Sequence, residues 1–349
     1  MDHKLPDYPL TISGIKISAR KHYLINLPLP PLYTDTPLTM TVHVFSGTSD
    51  GPVIFISAAL HGDELNGIEI VRRLIKRLSV KNLTGTVIAV PAVNIYGMIQ
   101  RSRYMPDRRD LNRCFPGSSS GSLSGRFANL FMEEIVSKCS YGIDLHTGAN
   151  SRDNVPQIRA NIEDSQVAAL AQAFSVPVII NSKMPDGSLR SAAKEKGVRI
   201  IVYEAGEAMR YNEVCIRVGL NGILNTLKYM KMIPQSTKVK GKKYEPAIAK
   251  SSSWTRATMS GIFRSKKTLG NHVTAGETLG VIEDVGGINK PEYIKVKNNG
   301  IVIGKSHTPL VYEGDPLYHI AYFENVEEVA ANINPIEDQL STDTLISDG

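Results

Sequence analysis

Two histidines and two glutamates in this sequence stand where their side chains could work on one substrate. His61-Gly62-Asp63-Glu64 sets an imidazole and a carboxylate three residues apart. At the start of a helix that spacing puts both on one face, aimed at a single divalent ion. Zinc takes about four ligands, and a catalytic site leaves one position for water or substrate. A third protein ligand must therefore come from elsewhere in the chain. His146, in Asp144-Leu145-His146-Thr147-Gly148, follows an apolar strand and meets that need. Taken singly, His61 reads as a helix cap and His146 as a satisfied core histidine; together they point to a metal centre. Glu204 ends another apolar run, Val202-Tyr203-Glu204-Ala205-Gly206. A carboxylate there is costly unless it is paired or wet. It reads either as a salt-bridged or capping glutamate, or as a general base. The base would take a proton from water activated on the metal and pass it to a leaving nitrogen.

One loop, from Arg101 to Gly117, gathers Arg103, Asn112 and Arg113. A guanidinium fork suits a substrate carboxylate, and a side-chain amide adds hydrogen bonds. A second arginine could polarise a scissile carbonyl beside the metal. Arg101, Arg108 and Arg109 read as solvated charge.

These residues fall where buried strands end. The run Met40 to Phe45 alternates like an edge strand of a leading hairpin, whereas Val53-Ile54-Phe55-Ile56 is continuously apolar, as in a strand covered on both faces. A helical period follows through Leu65, Ile68, Val71, Leu74, Ile75 and Leu78, then a strand at 87–90. Strands near 142–145, 176–180 and 198–203 alternate with helices near 126–138, 164–174, 189–196 and 212–230. Alternation of this kind predicts an α/β domain over residues 1–235, a mainly parallel mixed sheet flanked by helices. Ligands of such sheets gather beyond the carboxyl ends of the strands.

After Lys243 helical periodicity stops and glycine becomes frequent. Val273 to Ile282 echoes Val311 to Ile320, and Gly261-Ile262 echoes Gly300-Ile301. The echo predicts a small all-β barrel or sandwich-like domain over 245–325, with a tail over 326–349. Lys290 lacks the context of a swinging-arm lysine, and the domain reads as structural or as a lid.

The composition excludes several classes. No run of about 18 apolar residues exists, so no membrane helix is expected. No secretory signal is visible, and Cys114, Cys139 and Cys215 show no paired spacing, which favours a reducing cytoplasm. A net charge of +6 with no interleaved aromatics at Lys238, Lys240, Lys242 and Lys243 argues against nucleic acid. Self-association stays open.

The motifs HGDE at 61–64, SRY at 102–104, DLNRCFPG at 110–117, DLHTG at 144–148 and YEAG at 203–206 occur together and in order. As a set they resemble the succinylglutamate desuccinylase/aspartoacylase family of the zinc carboxypeptidase-like superfamily. The resemblance implies one zinc per chain on His61, Glu64 and His146, with Glu204 as catalytic base and acid. It implies that Arg103 polarises the carbonyl and stabilises the oxyanion, with Arg101 and Arg109 as alternatives. It implies that Asn112 and Arg113 grip the α-carboxylate, and that Asp110 orients a zinc histidine from behind. The expected activity is zinc-dependent hydrolysis of the amide bond of a small N-acyl amino acid. The alternatives are a carboxypeptidase-type metallopeptidase and, in a different class, a non-catalytic protein that binds through its β domain.

Overall fold

The computed structural model describes residues 10–239 and 244–324, together with Val326 and Val329. The expected tail therefore lies almost wholly outside the described residues, as do Lys240, Lys242 and Lys243.

A short hairpin, β1 (Thr11–Ile12) and β2 (Ile15–Lys16), precedes the leading antiparallel pair β3 (Lys21–Leu29) and β4 (Leu38–Ser46). Alternation decides the faces of this pair: Ile25, Leu27 and Leu29 turn inward, as do Met40, Val42 and Val44. Then come β5 (Ser49–Ala58), α1 (Asn66–Arg77), β6 (Thr84–Val90), α2 (Ile95–Gln100) and α3 (Leu123–Glu134). Next are β7 (Tyr141–Gly148), β8 (Arg152–Asn154), β9 (Gln157–Ala160), α4 (Ser165–Phe174) and β10 (Val178–Asn181). α5 (Leu189–Glu195), β11 (Arg199–Glu207) and α6 (Glu213–Tyr229) complete the α/β part.

Helix α1 shows why these segments become helices. Ile70, Val71 and Leu74 form its buried stripe, Glu69 sits in the first turn, and Lys76 and Arg77 in the last, where each charge complements the helix dipole. Asp164 caps α4 by accepting from Gln166 and Val167 N–H, and Asn212 caps α6 through Cys215 N–H.

After α6 follow β12 (Ala247–Ala249), β13 (Ser251–Arg256), β14 (Gly261–Ser265), β15 (His272–Val273), β16 (Thr278–Glu283), β17 (Glu292–Lys295), β18 (Gly300–Ser306), β19 (Leu310–Val311) and β20 (Pro316–Tyr322).

The large sheet has nine strands in the order β12-β10-β9-β11-β7-β5-β6-β4-β3. Its centre, β11-β7-β5-β6, is parallel. The sheet becomes mixed because β9 runs antiparallel to β11, and β4 antiparallel to β6. One apolar cluster joins α1, α4 and α6 to one face; a second joins α2, α3 and α5 to the other. The continuous apolar run of β5 and the unbroken burial of β7 follow from this double covering.

The C-terminal strands form two antiparallel sheets around a third cluster, one of four strands and one of five in which β8 is the fifth. The sequence echo is a structural one. Val273 pairs with Gly300, and Val311 with Gly261. Each echoed strand leads into a turn at a positive-φ glycine, Gly276 or Gly314. There the next acidic side chain accepts a backbone N–H: Glu277 from Thr274, and Asp315 from Tyr312.

Three short strands carry no periodic signal, and sequence reasoning passed over them: β8, β9 and β12. β12 joins the edge of the nine-stranded sheet beside β10, while β8 leaves the α/β part to pair with β18. The two parts are thus joined by exchanged strands. Among the described residues no helix is long and apolar enough to cross a membrane.

Candidate functional site

The chain steps from β5 to β6 on one side, then returns to place β7 on the other side of β5. A crevice opens at such a switch of direction, beyond the carboxyl ends of the strands. β5 delivers His61 and Glu64 there, and β7 delivers His146. The HGDE segment is a turn rather than the first turn of a helix: Glu64 N–H bonds to His61 O, and α1 begins at Asn66. Gly62 lies against the backbone of Gly97, where a Cβ would fall 1.9 Å from the Gly97 carbonyl carbon, so the turn cannot carry a side chain at that position. The turn still brings the two groups together.

His61, Glu64 and His146 are all buried, and their donor atoms lie within 4.8 Å of one another. Glu64 Oε1 stands 2.7 Å from His61 Nδ1, and Oε2 stands 2.8 Å from His146 Nδ1. Behind each ring is a second carboxylate. Asp110 Oδ1 lies 3.1 Å from His61 Nε2, and Asp144 Oδ2 lies 2.7 Å from His146 Nε2. A carboxylate at Nε2 favours the proton there and leaves the Nδ1 lone pairs facing the common point, the arrangement that metal-binding histidines need. This donor set of two nitrogens and a carboxylate fits a zinc-type ion.

The electrostatics agree with a site built for positive charge. Burial works against the Glu64 charge, yet the two imidazoles outweigh it and hold the carboxyl well below the usual carboxylate range. Burial likewise opposes charge on His146, but Asp144 and Glu64 raise its affinity for a proton well above the ordinary value. His61 is raised in the same way by Glu64 and Asp110.

Glu204 comes from β11, the strand beside β7, and is the direct register partner of His146. Its Oε2 accepts from Asn154 Nδ2 at 3.3 Å and stands 2.9 Å from Arg159 Nε in an ion pair. Arg103 reaches the His-Glu-His cluster: its Nη2 donates to Asp110 Oδ2 at 2.9 Å and its Nη1 to Glu64 Oε1 at 3.2 Å. Arg101, Arg108 and Arg109 are exposed, and none of them lines the cavity. Asn112 Oδ1 accepts Leu189 N–H at 2.9 Å, which fastens the arginine loop to the start of α5 and leaves Nδ2 available. Arg113 is exposed on that loop, with Nη1 donating to Asn112 O at 2.6 Å.

His61, Glu64, Arg103, Asn112, Arg113, His146 and Glu204 line one cavity of about 280 Å³. Asp110 stands behind it. Sequence reasoning missed several other lining residues: Asp144, Arg152, Asn154, Arg159, Arg190 and Trp254. Asp144 had a legible signal, since it lies two residues before His146 on the same face of a strand. Asn154 and Arg159 sit in strands too short to read, and Trp254 arrives from the C-terminal sheet. Arg190 rises from α5, its Nη1 on Ser182 Oγ at 3.0 Å and its Nη2 on the Lys183 carbonyl at 3.1 Å.

Known proteins are similar to this chain in sequence and in fold. A deacetylase of N-alpha-acetyl-L-2,4-diaminobutyric acid from Halomonas elongata is 27% identical over 286 residues, 78% of this chain and 82% of the relative. The crystal structure of a succinylglutamate desuccinylase/aspartoacylase from Rhodobacter sphaeroides superposes with a TM-score of 0.78 at 24% identity, covering 88% of this chain and 98% of that one. The product-bound ectoine utilization protein EutE (DoeB) from Ruegeria pomeroyi gives 0.80 at 22% identity, covering 90% and 99%. At that identity the two structures establish a common fold. The family model for the succinylglutamate desuccinylase/aspartoacylase catalytic domain matches residues 50–230. That stretch is more than half of the 349 residues and contains the His-Glu-His cluster and Glu204. The chain therefore belongs to the succinylglutamate desuccinylase/aspartoacylase family.

Proposed function

We propose that the protein is a zinc-dependent deacylase that hydrolyses the amide bond of a small N-acyl amino acid. The observation that carries this reading is the buried His61–Glu64–His146 cluster with a carboxylate behind each imidazole. The Halomonas deacetylase and the family match support the reaction class.

Zinc, when bound, supplies Lewis acidity, which polarises a carbonyl and acidifies water to a pKa of about 7. The chain's own residues do the rest. Glu204 accepts the proton of the attacking water and returns it to the departing amine nitrogen, so one carboxylate serves as base and then as acid. Asn154 and Arg159 hold that carboxylate in place. Arg103 directs N–H donors toward the oxygen on which charge develops. Asp110 and Asp144 fix the ring orientation of His61 and His146. Arg113, with the free Nδ2 of Asn112, grips the carboxylate of the amino acid. A cavity of about 280 Å³, walled on one side by Trp254 of β13, suits an acylated amino acid better than a peptide of several residues. This favours the deacylase over the carboxypeptidase reading.

The test is hydrolysis of a panel of N-acetyl, N-succinyl and N-formyl amino acids, with and without a chelator. Turnover of at least one member, lost on chelation and restored by zinc, is expected. Turnover that survives complete metal removal would refute the metal-dependent mechanism.

A further inference from the structure

Glu204 is the last residue of β11 that is paired on both sides, with His146 of β7 and with Gln157 of β9. Beyond it the β7 register slips. The next partners are Glu207 and Gly148, so one extra residue is accommodated on β11. Ala205 and Gly206 therefore form a bulge directly after the carboxylate proposed to move the proton. Gly206 takes the left-handed conformation there, with φ 77°. A bulge bends its strand and re-aims the side chains beside it. Whatever holds this bulge also sets where the Glu204 carboxylate points.

Asn66 holds it. This is the first residue of α1, two positions after Glu64, and it is buried. Its Nδ2 donates to Ala205 O at 3.2 Å, and its Oδ1 accepts Asn212 N–H at 3.0 Å. A carbonyl on one side and an N–H on the other decide which way the amide faces. The two partners are 139 and 146 residues away along the chain, so the side chain serves the β11–α6 connection and not its own helix. The neighbouring backbone runs the same way: Asp63 O accepts Met209 N–H at 2.8 Å. Gly206 packs against the amide, where a Cβ would fall 2.5 Å from Asn66 Nδ2. The gap thus takes a short side chain that carries both a donor and an acceptor.

We propose that Asn66 is a positioning residue for proton transfer: by tying the Ala205–Gly206 bulge to the segment that carries Glu64, it fixes the Glu204 carboxylate relative to the His61–Glu64–His146 cluster. The proposal rests on the deacylase reading. Asn66 does not line the cavity, so it acts through Glu204 and not on substrate. Misplacing a reacting group by about 1 Å can cost about 10²-fold in rate.

Asn66→Asp keeps the acceptor for Asn212 N–H and removes the donor to Ala205 O. In the zinc-loaded protein, kcat for the best panel substrate is expected to fall about 10–100-fold. KM should stay within about 2-fold of wild type, as for a loss confined to the chemical step, and zinc content should not change. Gly206→Ala presses on the same amide from the other side, so its effect on kcat should be smaller in an Asn66→Ala background than in the wild type. Ser122→Ala removes the side-chain cap of α3 and is expected to lower the melting temperature with kcat unchanged. If it lowers kcat as Asn66→Asp does, the effect is one of stability and the proposal falls. Crystal structures read the same point without turnover. In Asn66→Asp the Glu204 carboxylate should stand about 1 Å or more from its wild-type place, with His61, Glu64 and His146 unmoved. Wild-type kcat in this variant, or a Glu204 carboxylate that has not moved, overturns the proposal. Asn66→Ala and Gly206→Ala give the same two readouts should Asn66→Asp fail to fold. If the wild type hydrolyses no panel member, the deacylase reading falls, and the crystal comparison still decides whether Asn66 places Glu204.

Discussion

Glu204 and His146 are direct partners in the parallel pairing of β11 with β7, so their side chains leave the sheet on the same face. The carboxylate proposed to move the proton is thereby placed one strand spacing from a candidate metal ligand. Glu204→Gln keeps the shape and the contact with Asn154 but cannot accept a proton. General-base groups contribute about 10²–10⁴-fold, so kcat should fall by roughly 10³-fold while metal analysis shows an unchanged zinc content. Retained turnover would remove Glu204 from proton transfer.

The residues that show how much of this was legible are Glu204, Arg159 and Trp254. Glu204 could be found because it closes a long apolar strand, where a carboxylate is out of place. The helices were legible for a similar reason: a stripe such as Ile70, Val71 and Leu74 repeats over several turns, and caps such as Asp164 mark its start. Arg159 could not be found. Its strand is four residues long, follows Pro156, and mixes Gln157 and Arg159 with Ile158, so it shows neither clean alternation nor a continuous apolar run. Trp254 was hidden for a topological reason. It reaches the cavity because β8 crosses to pair with β18, a long-range pairing that no local pattern encodes.

Asp144 offers a test of how the site orients His146. One oxygen stands 2.7 Å from His146 Nε2, and the other accepts from Ser57 Oγ at 2.7 Å. Asp144→Asn keeps the volume but replaces the anionic acceptor. Changes at such supporting positions cost about 10–100-fold in metal affinity. Competition with a chromophoric zinc chelator should show a weakening of that size. An affinity equal to wild type would mean that His146 is oriented by its packing alone.

Asn112 has two faces that a single substitution separates. Its Oδ1 holds Leu189 N–H, whereas Nδ2 is available to a ligand. Asn112→Asp retains the acceptor and removes the donor, so the melting temperature should stay near wild type while KM for an N-acyl amino acid rises about 10-fold or more. Asn112→Ala should also lower stability by about 1–3 kcal/mol, because a backbone donor loses its partner. A substitution to Asp that destabilises as much as Ala does would show that Asn112 serves the fold rather than the ligand.

Gly142 tests the close packing of the central sheet. A Cβ there would fall 2.3 Å from the ring of Phe55, which is itself packed edge-on against Phe131. Interior overpacking costs about 1–3 kcal/mol. Gly142→Ala should lower stability to that extent in denaturant titration, and a paired Phe55→Leu change should recover part of the loss. If the pair is no more stable than Gly142→Ala alone, the collision is not the cause.

Acid stability should carry the signature of Glu69 on α1. Hydrogen bonds from Arg72 lower its pKa most, burial opposes them, and Arg73 adds to the lowering, so Glu69 falls from an ordinary 4.5 to about 2. Arg73 also reaches across to Glu213 of α6 at 2.7 Å, which links the two helices through a shared cation. A carboxyl whose folded pKa is depressed stabilises the fold fully above its unfolded pKa. That stabilisation is lost as pH falls through the folded value. The window is therefore pH 4.5 down to about 2. Because the network is partly solvated, its worth is about 1 kcal/mol or less. Glu69→Gln should be less stable than wild type by that amount at pH 7, and the gap should close as the pH is lowered through the window. Urea titrations of both proteins at pH 7, 4 and 3 read the gap directly. A gap that stays constant across these values would show that Glu69 stabilises α1 through packing and not through its charge.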